Sequence, residues 1–190
     1  MPPAERPRRP SDEELAAARG KPVPDLVVEP GLKVLFVGIN PSLWSAAIGH
    51  HFGNPNNRLW PTLRAAGFTP RRFLPTDAPE LLELGYGITN FVNRATATAA
   101  EIGDDELRAG APELVARIAR LRPRSVAFLG LTAYRTAFAR PRAAVGPQPE
   151  PVGGTPAWLL PNPSGLNAHY QLPDLARLYG QLRASLDPEP

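Results

Sequence analysis

The 190-residue chain contains no cysteine. Disulfides, thiolate zinc sites and iron–sulfur clusters are thereby excluded. Lysine is almost as scarce: Lys21 and Lys33 are the only two, so a side-chain amine nucleophile would have to be one of them. Histidine occurs as His50, His51 and His169, and no carboxylates join them at ligand spacing, so no metal set is expected. No apolar run approaches the roughly 18 residues of a membrane span. The opening "MPPAERPRRPSDEE" has no hydrophobic signal core. A cytoplasmic protein without membrane attachment is the expectation.

What is present fits one globular domain. Apolar residues make up 43% of the chain, enough for a sizeable core at a length too short for two ordinary domains. The net charge is only +3, yet the isoelectric point is about 9.7 because the basic residues are nearly all arginine. A guanidinium forks onto phosphates and stacks on bases, which suits nucleic acid. Abundant alanine, proline and arginine also mark a GC-rich genome, so charge alone leaves the partner open.

Residues 1–30 carry seven prolines among mixed charges, with only "DEELAAAR" resembling a helical turn or two. They read as a flexible Pro-rich tail. From residue 31 the pattern changes. "KVLFVG" from Lys33 is short, β-branched and unbroken by polar residues, the mark of a strand covered on both faces. "YGITNF" from Tyr86, "SVAFLG" from Ser125 and "AWLLP" from Ala157 repeat it. Between them run helix-period stripes: Leu107, Ala111, Leu114, Val115, Ile118 and Leu121, then Leu175, Leu178, Tyr179, Leu182 and Leu186. Pro112 must kink the first helix or start a new one. Asn57 is placed to cap a helix carrying Leu59, Trp60 and Leu63, with Pro61 in its first turn. Residues 140–156 form a Pro/Gly-rich connector. Buried strands alternating with amphipathic helices predict a three-layer α/β sandwich, its mainly parallel sheet covered by helices on both faces. In such a fold ligands bind at the carboxyl ends of strands. Gly38-Ile39-Asn40-Pro41, Thr89-Asn90 and the segment from Asn162 all lie at such ends.

Two of these segments carry more than fold. "GINPSLWSAAIGHHFGNPNNRLWPTLRAAGF" follows the first strand, and "LPNPSGLNAHY" follows the last. Together, in this order, they resemble the mismatch-specific uracil/thymine-DNA glycosylases, a branch of the uracil-DNA glycosylase superfamily. The likeness resumes around "GITNFVNRAT" and "SVAFLG" and covers roughly residues 31–186, making residues 31–187 the glycosylase domain. It implies a monomeric, cofactor-free enzyme that extrudes a base from double-stranded DNA and releases it, in base excision repair of G:U mismatches and related damage. Asn40 then corresponds to the catalytic residue, its amide holding a water while Pro41 fixes the turn. Phe52 corresponds to the aromatic that stacks on the extruded base, and Ser45 to a small polar pocket residue, with Ile39 beside them. Asn57 and Arg58 support the pocket or cap the helix. The second loop fills the hole left by the base: Leu166 as wedge, placed by Gly165, with Asn162, Ser164 and neighbouring amides near phosphates. Gly165 and Asn167 are placed to meet the orphaned guanine.

The chain departs from that pattern at three places. Ser42 stands where a glycine is common, narrowing the pocket or adding a hydroxyl. Asn90 stands where members vary; a second amide there helps hold the water, reads the pyrimidine, or only caps a loop. Asn167 and Ala168 replace a serine and an arginine, removing a charged DNA contact for which His169 is the available substitute. No lysine lies in either motif, so water rather than an amine is expected to attack the sugar. A catalytically silent module sensing mismatches with the same wedge would not need Asn40. A nucleotide-binding enzyme would want G-x-G-x-x-G after the first strand, and none is there.

Overall fold

The computed structural model describes residues 8–186. Its centre is a five-stranded sheet of β1 (Val34–Gly38), β2 (Tyr86–Asn90), β3 (Ser125–Leu129), β4 (Gly146–Pro147) and β5 (Ala157–Leu160). The order is β2-β1-β3-β5-β4, with every pair parallel except β4 against β5. The four long strands are those expected, and β1, β2 and β3 are buried at every position. Two-residue alternation explains the burial. Val34 and Phe36 enter one core layer with Tyr86, Ile88, Ala127 and Leu129. Leu35 and Val37 enter the other with Val126, Phe128, Ala157 and Leu159. A strand with cores on both faces must be apolar at consecutive positions.

Helices close both layers. Chain order gives α1 (Asp12–Ala17), α2 (Leu43–Ile48), α3 (Leu59–Ala65), α4 (Ala78–Glu83), α5 (Asp104–Leu121), α6 (Leu131–Ala137) and α7 (Leu172–Leu186). The α3 and α7 helices share the first layer through Leu59, Leu63, Leu175, Tyr179 and Leu182. The α5 and α6 helices share the second through Leu114, Ile118, Ala133 and Tyr134. The whole expected α7 stripe is buried. In α5 the expected stripe is buried except for Val115, which is half-buried. Pro112 starts no new helix: α5 runs through it, because Pro112 and Arg108 both face solvent, where water can take the carbonyl that lost its donor.

Residues 10–30 are not the free tail their composition predicts. Ser11 caps α1 in a reciprocal box with Glu14, and α1 packs on α2. Ala18 and Val23 are buried. Leu26 exchanges both backbone hydrogen bonds with Ile88 of β2, at 2.9 and 2.8 Å. Asp25 accepts from the Thr89 hydroxyl and pairs with Arg117 of α5. Proline-rich sequence is permissive of disorder, but these apolar residues find a sheet edge to cover. Residues 1–7 lie outside the described residues.

Candidate active site

The chain leaves β1 for β2 on one side and returns across it to β3 on the other, so strand order reverses beside β1. A crevice at that reversal is where an open α/β sheet binds ligands. A cavity of about 550 Å³ lies there, lined by Gly38, Ile39 and Asn40 after β1, Asn90 ending β2, Leu129 ending β3 and Asn162 after β5. Ser42, Ser45, Phe52, Ser164, Gly165 and Leu166 line it as well. Four strand ends thus bring together residues far apart in sequence.

Asn40 is held by one end only. Its Nδ2 donates to the carbonyls of Pro41 and Arg94, at 3.1 and 2.9 Å, and to Thr96 Oγ1 at 2.7 Å. Carbonyl oxygens only accept, so the nitrogen must face them and the amide orientation is fixed by its surroundings. Oδ1 has no protein partner among the described residues and remains an acceptor at the cavity wall. Behind it, Thr96 is buried and passes its own proton to the Thr98 carbonyl at 2.7 Å. Arg94, whose carbonyl takes the other bond, forks onto Glu106 of α5 at 2.7 and 2.8 Å. That guanidinium holds the Glu106 carboxyl below its ordinary range. Sequence reading missed Thr96 and Arg94; their segment was visible, but not that it reaches across to Asn40.

Asn90 is 3% exposed, yet its buried Nδ2 makes no hydrogen bond among the described residues. A buried amide without a partner costs about 1–3 kcal/mol unless something else meets it. It fronts the cavity, so a ligand edge can supply the missing partner. Its Oδ1 sits over Gly38, where an added Cβ would stand 2.5 Å away, with the Phe52 ring at 3.2 Å. Only glycine admits both side chains. Phe52 itself holds the left-handed φ of 50°, rare for an aromatic residue; Trp60 Nε1 donates to its carbonyl at 3.2 Å and helps keep it there.

Ser42 turns out to cap α2. Its Oγ accepts from the Ser45 amide at 3.1 Å while facing the cavity. Ser45 is buried, its Oγ accepting from Gly53 at 2.9 Å. Asn57 is not the cap expected of it: the N-cap of α3 is Arg58, without a side-chain cap bond, and Asn57 Oδ1 accepts from the Leu59 amide at 2.9 Å from one residue further out. His51 is buried, with Nε2 2.8 Å from the Pro24 carbonyl. Burial holds its pKa below the usual imidazole range, against the opposing pull of that carbonyl.

The loop after β5 leans on α3. Arg58 donates through one terminal nitrogen to the Tyr170 carbonyl and Gln171 Oε1, at 2.9 and 3.0 Å. The other reaches the carbonyls of Ser164 and Asn167, at 2.5 and 2.8 Å. Gly165 lies so close to Asn56 that a Cβ would fall 2.6 Å from its carbonyl oxygen. Leu166, at the tip, is 82% exposed. Ser164 Oγ accepts from the Leu166 amide at 3.2 Å, and Asn162 Oδ1 from the Ser164 amide at 2.9 Å. Asn167 does not line the cavity. Its amide bonds the Asn162 carbonyl and the His169 amide at 2.9 and 3.1 Å, so it braces the loop. His169 is exposed and outside the cavity wall.

The chain is similar to known proteins in both fold and sequence. The fold matches the solution NMR structure of a presumed uracil DNA glycosylase from Methanosarcina acetivorans with a TM-score of 0.60, at 19% identity, covering 88% of this chain and 98% of that one. The family model of the uracil DNA glycosylase superfamily matches residues 26–183, which contain every cavity residue named above. By that match the chain belongs to the uracil DNA glycosylase superfamily.

Proposed function

We propose that the protein is a monofunctional DNA glycosylase that extrudes uracil from mismatched double-stranded DNA and hydrolyses its bond to the sugar, acting as a monomer without a cofactor. The observation that carries this reading is Asn40: a carboxamide clamped by its nitrogen, with its oxygen turned to a pocket. Such an oxygen accepts a hydrogen bond from a water and aims the water's lone pair. The water oxygen bonds to the sugar C1′, the C1′–N1 bond breaks with its electron pair leaving on the pyrimidine, and the surplus proton of the water passes through solvent to the departing pyrimidine anion. The departing uracil anion is tolerable, so hydrogen-bond donors replace a strong acid. In this reading Asn90 turns to supply one and the Phe52 ring stacks on the base. Neither Lys21 nor Lys33 lines the cavity, which supports water over an amine as nucleophile.

Leu166 is the proposed wedge, and the loop braced by Arg58 its mount. Thymine and other damaged pyrimidines are further substrates in this reading. The test is release of uracil from oligonucleotides with one lesion opposite G, opposite A, or unpaired, followed by alkaline cleavage at the abasic site. Asn40→Ala should lose a hundredfold or more in rate, as expected for a positioned catalytic group, while binding the same duplex. Parent-like turnover by Asn40→Ala would overturn the assignment. Binding of mismatches by the parent without any release would mark a silent sensor instead.

A further inference from the structure

Behind the turn formed by residues 54–57 lies a second cleft, of about 690 Å³, lined by Arg9, Trp44, Trp60, Arg72 and Phe73 among others. Trp44 is half-buried at the start of α2 and Trp60 is buried in α3. Arg9 and Arg72 are exposed, and neither side chain has a protein partner among the described residues. Their neighbours differ: Arg8 pairs with Glu14, and Arg71 with Asp77 and Glu80. Among the described residues no carboxylate lines the cleft. Asn54, Asn56 and Asn57 line both this cleft and the active-site cavity, and Gly165 of the Leu166 loop rests against Asn56.

We infer that this cleft binds a nucleotide flanking the extruded base, on the same DNA strand. The inference rests on the glycosylase reading, which places the extruded base in the adjoining cavity. A strand entering one cavity meets the other across a single turn. The chemistry there suits it: a half-exposed indole for a base and two guanidiniums for phosphates, with no partner or acidic group beside them among the described residues. The site would bind any base, since stacking reads no hydrogen-bond pattern.

The experiment uses single-stranded oligonucleotides carrying a stable abasic analogue, lengthened by one nucleotide at a time on the 5′ or the 3′ side. Affinity is read by tryptophan fluorescence and by competition. Extension on one side should tighten binding about tenfold. Trp44→Ala should abolish that gain and Trp44→Phe should keep it. Arg9→Ala and Arg72→Ala, both at exposed positions, should each lower the slope of log affinity against log salt by about 0.7. Length-independent binding, or a gain that survives Trp44→Ala, overturns the cleft. Release of uracil is measured in parallel: release without a length effect refutes the cleft alone, and a length effect without release refutes the glycosylase reading alone.

Discussion

Arg58 joins the pocket to the loop proposed as wedge, and its removal should separate extrusion from chemistry. Its guanidinium binds the carbonyls of Ser164, Asn167 and Tyr170 and the Gln171 side chain. A hydrogen bond to a charged group contributes about 1.5–3 kcal/mol when its partner is left unsatisfied. Here the loop is largely exposed, so water recovers much of that, and about 1 kcal/mol for each of three carbonyls is the reasonable net. The sum, about 3 kcal/mol, corresponds to roughly a hundredfold fall in the population holding Leu166 in place. Arg58→Ala should therefore slow single-turnover release from duplex by up to about that factor, and release from single strands much less. Amide exchange in residues 164–170 should accelerate while α5 and the sheet stay protected. Arg58→Lys should fall between, since one ammonium cannot span four acceptors set around a planar fork. Parent-like release from duplex, with unchanged exchange in the loop, would refute the reasoning. Equal losses on both substrates with a large fall in Tm would place Arg58 in the core instead.

Leu166→Ala should leave Tm nearly unchanged, because the side chain is exposed, yet slow release from A·U more than from G·U, since the better-paired base costs more to extrude. A Tm loss with uniform slowing would count against the wedge. Thr96→Val removes an acceptor of Asn40 Nδ2 and should cut kcat about tenfold with KM little changed, with Thr96→Ser restoring it; a change confined to KM would show that Thr96 does not position the amide. His51 has a folded pKa below its unfolded value of about 6.5, so the unfolded chain binds more protons between the two. Stability from His51 is complete above about pH 6.5 and is lost as pH falls through that window. Chemical denaturation against pH should show this loss in the parent and not in His51→Gln.

The sheet was legible because burial on both faces leaves no polar alternation to obscure it, and α7 because fifteen residues display their stripe. The α2, α4 and α6 helices, of six or seven residues, are too short for a 3.6-residue period to emerge. Strand β4 consists of a glycine and a proline, which read as connector. Asn40, Phe52 and Leu166 stood out because their side chains face cavity or solvent from unusual local sequence. What fixes them did not: the Arg94 carbonyl, Thr96 and the Arg58 fork act across separations of 54, 56 and over 100 residues, and a hydrogen bond of that reach leaves no periodic trace. That Asn167 braces its own loop was not legible either, because an amide's availability depends on bonds it already makes.

The docking of residues 20–26 along β2 bears on how this protein could be handled. An open sheet has two edges, each a template for pairing with another chain. On one side the edge is β4, two residues long and ending in proline, a poor partner for any strand. On the other, Leu26 already occupies the Ile88 backbone. The family match starts at residue 26, so a chain cut to that boundary keeps the pocket and Leu26 itself, but loses the segment that anchors Leu26 on β2 and the carbonyl that meets His51. With Leu26 left as a fraying terminus, such a fragment should self-associate as concentration rises, and fusing a soluble partner to it would hide the symptom while leaving the weakened edge in place.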